Sequence, residues 1–156
     1  NGIAAIAVVD FNGNLVSFDS MDGTSLTSAR FALGKAKGAA ALRQTTAESA
    51  EQQQTNPQRF HSALSILGGE VMLIPGGFPL IVDNVIVGAV GSAGHRGDGD
   101  VRAVKAGIAD GRNAITEAVA KTPEDRLMYG TRADLKNDFL ARAVAARVRL
   151  YGPPRE

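Results

Sequence analysis

Between Gly94 and Asp100 the chain reads Gly-His-Arg-Gly-Asp-Gly-Asp, so an imidazole, a guanidinium and two carboxylates share one glycine-punctuated stretch. His95 is the one imidazole in it. It can move a proton or offer a ring nitrogen to a metal, with Asp100 as the group that would orient it. Arg96 can hold a carboxylate. Gly91, Ser92 and Gly94 precede a helical pattern that starts near Asp100, and a glycine-rich entry to a helix exposes N–H groups at the positive end of its dipole. Gly77 and Phe78, in the turn Gly76-Gly77-Phe78-Pro79, complete the candidate ligand surface. The plainer reading is an exposed loop in which Asp98 or Asp100 caps the next helix.

Lys35 stands among alanines and glycines, where an ammonium either holds a ligand carboxylate, acts as a base, or snorkels to solvent. Arg30, five residues earlier, could join it on an anion. Asp22 fits a turn, and His61 stands in a weakly patterned segment, where a histidine is more often packed or surface-exposed than a ligand. A metal site from His61 and His95 would need a third ligand. Gly91, Gly94 and Gly97 do not make a dinucleotide fingerprint, and no nucleophile elbow, phosphate-binding loop or cysteine motif is present.

These groups must be positioned by the elements around them. Ile3 to Asp10 and Leu15 to Ser20 read as strands joined at Phe11-Asn12-Gly13-Asn14. Thr24 to Arg43 is an alanine-rich helix whose small side chains suit close packing on a sheet or a second subunit. Thr45 to Pro57 is polar and reads as a solvated helix end or mobile loop, and Arg59 to Ile66 as a short helix. Val71 to Ile74, Leu80 to Asp83 and Val85 to Val90 are expected as three further strands. Asp83-Asn84 gives hairpin chemistry, so the sheet is expected to be mainly antiparallel. Asp100 to Ala120 carries Val101, Val104, Ile108, Ile115 and Val119 at helical spacing. Thr122 to Asp125 starts another helical turn, and Thr131 to Leu150 forms a last helix with Leu135, Phe139, Ala143, Val144 and Val148 on one stripe.

The order of these motifs resembles the GlcG/HbpS-like family. Gly76-Gly77-Phe78-Pro79-Leu80, Val87-Gly88-Ala89-Val90-Gly91, the Ser92–Gly99 loop, Asp100 and Ala106-Gly107 follow its signature. So do Val8-Val9-Asp10, Asn12-Gly13, Met21-Asp22-Gly23, Ser28 and Ala32-Leu33-Gly34-Lys35-Ala36. The resemblance implies an α/β fold with a five-stranded, mainly antiparallel sheet covered by helices in a profilin-like layered arrangement. It also implies a homo-oligomer, a lysine retained at the place of Lys35, and haem or a corrinoid as candidate ligand; His95 matches no residue of the family signature, and its place as iron ligand rests on the chemistry of a lone imidazole in that loop. The family usually begins with a helix ahead of the first strand and ends soon after the Ala-Gly helix. Here residues 1–120 form the core and 121–156 a C-terminal helical extension expected to pack on it.

Composition sets the outer bounds. The chain has 156 residues, 44% hydrophobic and 21% charged, with net charge +1, a single-domain profile without the basic excess of a nucleic-acid binder. No apolar run approaches the ~20 residues that cross a bilayer. The absence of cysteine removes disulfides, thiolate metal sites and cysteine nucleophiles. The chain starts at Asn1, which reads as a processed, trimmed or partial product; a cytoplasmic setting is expected, with a processed secreted form as the other option. Two functions follow: a binding protein for a small anionic ligand, or a cofactor-independent acid/base enzyme on a small carboxylate or aromatic catabolite. Aromatic residues at 5% leave no conspicuous haem crevice in the sequence.

Overall fold

The computed structural model describes residues 3–82, 84–96 and 98–121, the last ten of them as backbone. The order is β1 (Ala5–Asp10), β2 (Leu15–Ser20), α1 (Leu26–Leu42), α2 (Thr46–Thr55), α3 (Pro57–Ile66), β3 (Gly77–Val82), β4 (Val85–Ala93) and α4 (Gly99–Lys121). The strands form one antiparallel sheet in the order β2-β1-β4-β3. The α/β class and the antiparallel sheet match expectation, with four strands among the described residues. Val71 to Ile74 lies outside the sheet. It lies along α1, where the Met72 N–H donates to the Gly34 carbonyl at 2.9 Å. The expected turn at Thr122 and helix from Thr131, with the 121–156 extension, lie outside the described residues beyond Lys121.

Two short turns set the register. Asp10 closes the β1–β2 turn by accepting from the backbone N–H groups of Asn12 and Asn14 and from the Asn14 amide, each at 2.9 Å. Burial pushes the Asp10 carboxyl up, but these hydrogen bonds outweigh it and hold the group below its usual 3.8. At the β3–β4 connection Asn84 takes φ 64, the left-handed conformation a two-residue hairpin needs.

The sheet's two faces carry different side chains. Ala5, Ala7, Val9, Ala89 and Ala93 face α1 and form one cluster with its Ala32, Ala36, Ala39 and Ala40. Ile6, Val8, Leu80 and Val90 point the other way, toward Val104 of α4. Small residues on the first face let α1 settle almost onto the backbone. A Cβ at Gly91 would collide with the Ala32 carbonyl and the Ala36 amide, and one at Gly77 with the Lys35 carbonyl. The alanine face is therefore spent inside the chain, against the sheet. Gly91 and Ser92, expected in a loop, belong to β4, paired with Ala7 and Ile6.

The polar stretch after α1 is also ordered. Thr45 and Glu48 form a reciprocal capping box at the start of α2, and the Thr45 hydrogen bonds hold the Glu48 carboxyl below its usual 4.5. Asn56 then caps α3, with Pro57 at its first position.

Candidate functional site

Lys35 sits on the sheet-facing side of α1 with 2% of its surface exposed. Its stem runs between Gly76 and Gly91, and Nζ donates to the Ser92 carbonyl and to Asp100 Oδ2, both at 2.8 Å. Glycine at 76 provides the room. Its φ of 121 suits no L side chain, and a Cβ there would stand 3.0 Å from Nζ and 2.9 Å from the Ser92 oxygen.

Asp100 lies in the first turn of α4 and is buried. It uses both oxygens. Oδ2 takes the lysine, while Oδ1 accepts the His95 backbone N–H at 3.0 Å and faces His95 Nδ1 at 3.1 Å. The Ser92 hydroxyl lies 3.5 Å from the same oxygen. A carboxylate oxygen is an acceptor, so the proton of a neutral His95 is assigned to Nδ1, and Nε2 carries the lone pair. Nε2 has no hydrogen-bond partner among the described residues, and the side chain is 25% exposed. Gly99 lets the imidazole lie against the start of α4, since a Cβ there would collide with that of His95. Gly94 packs against the backbone of Ile3 and Ala4, which puts the half-exposed Ile3 at the rim.

Lys35 on one side and Ser92, His95 and Asp100 on the other, two stretches of sequence more than fifty residues apart, thus meet in one network, with Gly77 and Gly91 packed against Lys35. The N–H groups expected to cradle an anion are partly used internally: that of Ser92 goes to the Gly76 carbonyl at 3.0 Å and that of His95 to Asp100. Gly94 and the exposed Arg96 flank the imidazole, and Gly97 falls outside the described residues. Arg30 is exposed while Lys35 is buried, so the two do not share a face. Phe78 is half-buried on the α4 face, its ring centroid 5.9 Å from Lys105 Nζ. Asp98 is exposed and lies 3.5 Å from Arg102 on the outside of α4. Asp22 is exposed, and His61 is exposed on α3, edge-on to Phe60. No group of three potential metal ligands occurs among the described residues.

Two contributors escaped the sequence reading. Gly76 was read as part of a turn, and its place beside an ammonium has no local signal. Thr46, fully buried, bonds the same turn from α2.

Comparison with known proteins follows the same blocks. An uncharacterized 15.0 kDa protein of Citrobacter freundii, from the dhaT-dhaS intergenic region, is 33% identical over 88 residues, which is 56% of this chain and 61% of that protein. Among solved structures, the Klebsiella pneumoniae protein ORFY superposes with a TM-score of 0.56 at 20% identity, over 94% of this chain and 74% of its own. A PduOC:haem complex gives 0.55 at 19%, over 93% and 78%. A double mutant of Streptomyces reticuli HbpS gives 0.55 at 22%, over 94% and 72%. At these identities the superpositions establish a shared fold. The HbpS-like family model, described as haem degrading protein HbpS-like, matches residues 3–109, which include all four described strands, α1 and the Lys35–Asp100–His95 network: the chain belongs to the HbpS-like family.

Proposed function

We propose that this chain binds haem through Nε2 of His95. The observation that carries the reading is the contact between His95 Nδ1 and Asp100 Oδ1. A histidine that ligates a metal through one ring nitrogen commonly gives the other to a carboxylate, which fixes the tautomer and aims the ring. Here the carboxylate is itself anchored by the buried Lys35. The donor set therefore fits a group that asks for a single imidazole. Bound haem would supply an iron centre open to redox and ligand chemistry. The protein's own part would be to present Nε2 of His95, with Arg96 available to a propionate and Ile3 as apolar contact. Family membership and the haem carried by one structural relative support the reading.

Titration of the purified chain with haemin tests it. A saturable Soret shift at one haem per chain, weakened at least tenfold by His95→Ala, is expected. A non-saturating shift, or one that His95→Ala leaves unchanged, overturns it. A corrinoid takes the same imidazole donor through cobalt, so hydroxocobalamin serves as competitor; preferential displacement of haem by it would reassign the ligand.

The same dyad favours one second reading. Nε2 of a carboxylate-oriented histidine is also a general base, and Arg96 could hold the carboxylate of a small carboxylate or aromatic catabolite. Turnover without haem, lost in His95→Ala while substrate affinity persists, would favour that enzyme over the binding protein.

A further inference from the structure

We propose that Thr46 is the positioning residue of the Lys35 ammonium and, through it, of Asp100 and His95. The functional weight of this inference rests on the reading of His95 given above, while its geometry stands apart from any ligand.

Thr46 has no exposed surface, in the first turn of a helix whose other residues are largely polar and solvated. Its hydroxyl donates to the Ile74 carbonyl at 2.5 Å, with the Gly77 carbonyl a longer acceptor at 3.5 Å, and accepts the Gly77 N–H at 2.9 Å, so it clasps both ends of the 74–77 turn. That turn makes two contacts with the site. The Gly76 carbonyl accepts the Ser92 N–H at 3.0 Å, which orients the peptide whose own carbonyl receives Lys35. The bare Cα of Gly76 closes the space beside Nζ, where even a methyl would come within 3.0 Å. A lysine stem is flexible and rich in rotamers, so an ammonium is held at one point only where the groups around it are fixed. Among the described residues, the hydroxyl of Thr46 is the side-chain atom that fixes the 74–77 turn at both ends. The methyl of Thr46 meanwhile packs by Gly77 and Gly38. Valine keeps that shape and removes the hydrogen bonds; serine keeps the hydroxyl and removes the methyl.

The test uses the whole 156-residue chain, free of haem. Reductive methylation followed by peptide mass spectrometry compares Lys35 with Lys37, two residues along the same helix and partly exposed. In the unaltered protein Lys35 is protected relative to Lys37. Thr46→Val leaves a buried donor and acceptor without partners, a cost on the order of 1.4 kcal/mol, and Lys35 labelling is expected to rise roughly tenfold with Lys37 unchanged. Thr46→Ser keeps Lys35 protected. Val8→Ala, a cavity variant on the opposite face of the sheet, serves as a control for general loosening and also keeps it protected. The proposal is overturned if Lys35 stays protected in Thr46→Val, or if Thr46→Ser or Val8→Ala unmasks it to the same degree. Should Thr46→Val fail to fold, the serine variant decides, since hydroxyl positioning requires it to match the unaltered protein. The ¹⁵N shifts of His95 give a second readout: they move in Thr46→Val and hold in Thr46→Ser. Haemin titration of Thr46→Val separates the two inferences. Unmasked Lys35 with weakened haem binding supports both; unmasked Lys35 with unchanged haem binding upholds the positioning and counts against His95 as the haem ligand.

Discussion

Lys35 and Lys37 stand two residues apart on one helix, each paired with a carboxylate more than thirty positions away, and they illustrate opposite uses of one chemistry. Lys35 meets Asp100 at 2.8 Å with side-chain exposures of 3% and 11%. Lys37 meets Glu70 at 2.6 Å with 28% and 69%. The exposed pair is shorter and matters less. Water competes for both of its partners, and holding two long side chains together costs entropy that a screened attraction barely offsets. The inner pair has left nearly all of its water, so each partner depends on the other. Distance alone does not rank ion pairs; burial does. Helical geometry explains the split. A spacing of two turns the side chain by roughly 200°, from the sheet to the outer surface.

The sharpest way to break the comparison is to remove the inner cation. Lys35→Met leaves the Asp100 carboxylate buried without its partner, and urea unfolding is expected to show a loss of about 3–5 kcal/mol. Lys35→Met combined with Asp100→Leu removes both charges and should recover a substantial part of it. If the double variant were no more stable than the single one, the cost would lie in packing of the lysine stem rather than in an unpaired charge.

Next comes the closeness that makes burial feasible. Gly91→Ala puts a methyl into the backbone of α1 at Ala32 and Ala36, and the helix must lift off the sheet. Overpacking of this kind costs about 1–3 kcal/mol, and lifting α1 should also unmask Lys35 to solvent. Gly13→Ala is the matched control for space: nothing lies within 4 Å of its Cβ, so its cost comes from the positive φ of 85 alone. Equal stability of Gly91→Ala and the unaltered protein would show that the α1–sheet contact is looser than the described spacing.

The same contrast governs what the sequence disclosed. Glycine and charge around His95, the lone Lys35 and the acidic start of α4 were legible by residue type, and the structure brings His95, Lys35 and Asp100 together. Their convergence is a long-range fact, since Lys35 and Asp100 are joined only by the sheet register and α1 packing. The small residues Gly91-Ser92-Ala93 read as a flexible loop because glycine weakens a strand; here they are strand residues kept small by the helix above. Val71 to Ile74 read as a strand because it is a short apolar run, and Val71 and Leu73 are indeed buried while Met72 and Ile74 are less so. Such a run suits any buried segment, so it could not tell a neighbouring strand from Gly34 of a helix. At α2 the Thr45–Glu48 capping box was present in the sequence, but the run of glutamines after it left a solvated helix end and a mobile loop both open. A local cap outweighed composition.

The smallest expected effect is the one that tests the comparison from its weak side. Lys37→Ala should leave the urea midpoint at neutral pH within measurement error. The hydrogen bond and charge of Lys37 hold the Glu70 carboxyl below its usual 4.5, so whatever the pair contributes has a definite sign. A depressed folded-state value favours the folded protein above the unfolded one and is lost as pH falls through the depressed value. The difference between Lys37→Ala and the unaltered protein should therefore be present, if measurable at all, at neutral pH and low salt. It should vanish in acid, and it should also vanish in molar salt, where screening reaches ~3 Å. The buried pair should behave otherwise: salt hardly enters its surroundings, so the loss in Lys35→Met should persist at high ionic strength. A salt-insensitive loss in Lys37→Ala of the size seen for Lys35→Met would mean that the two pairs share one energetic class, and burial would then not be what separates them.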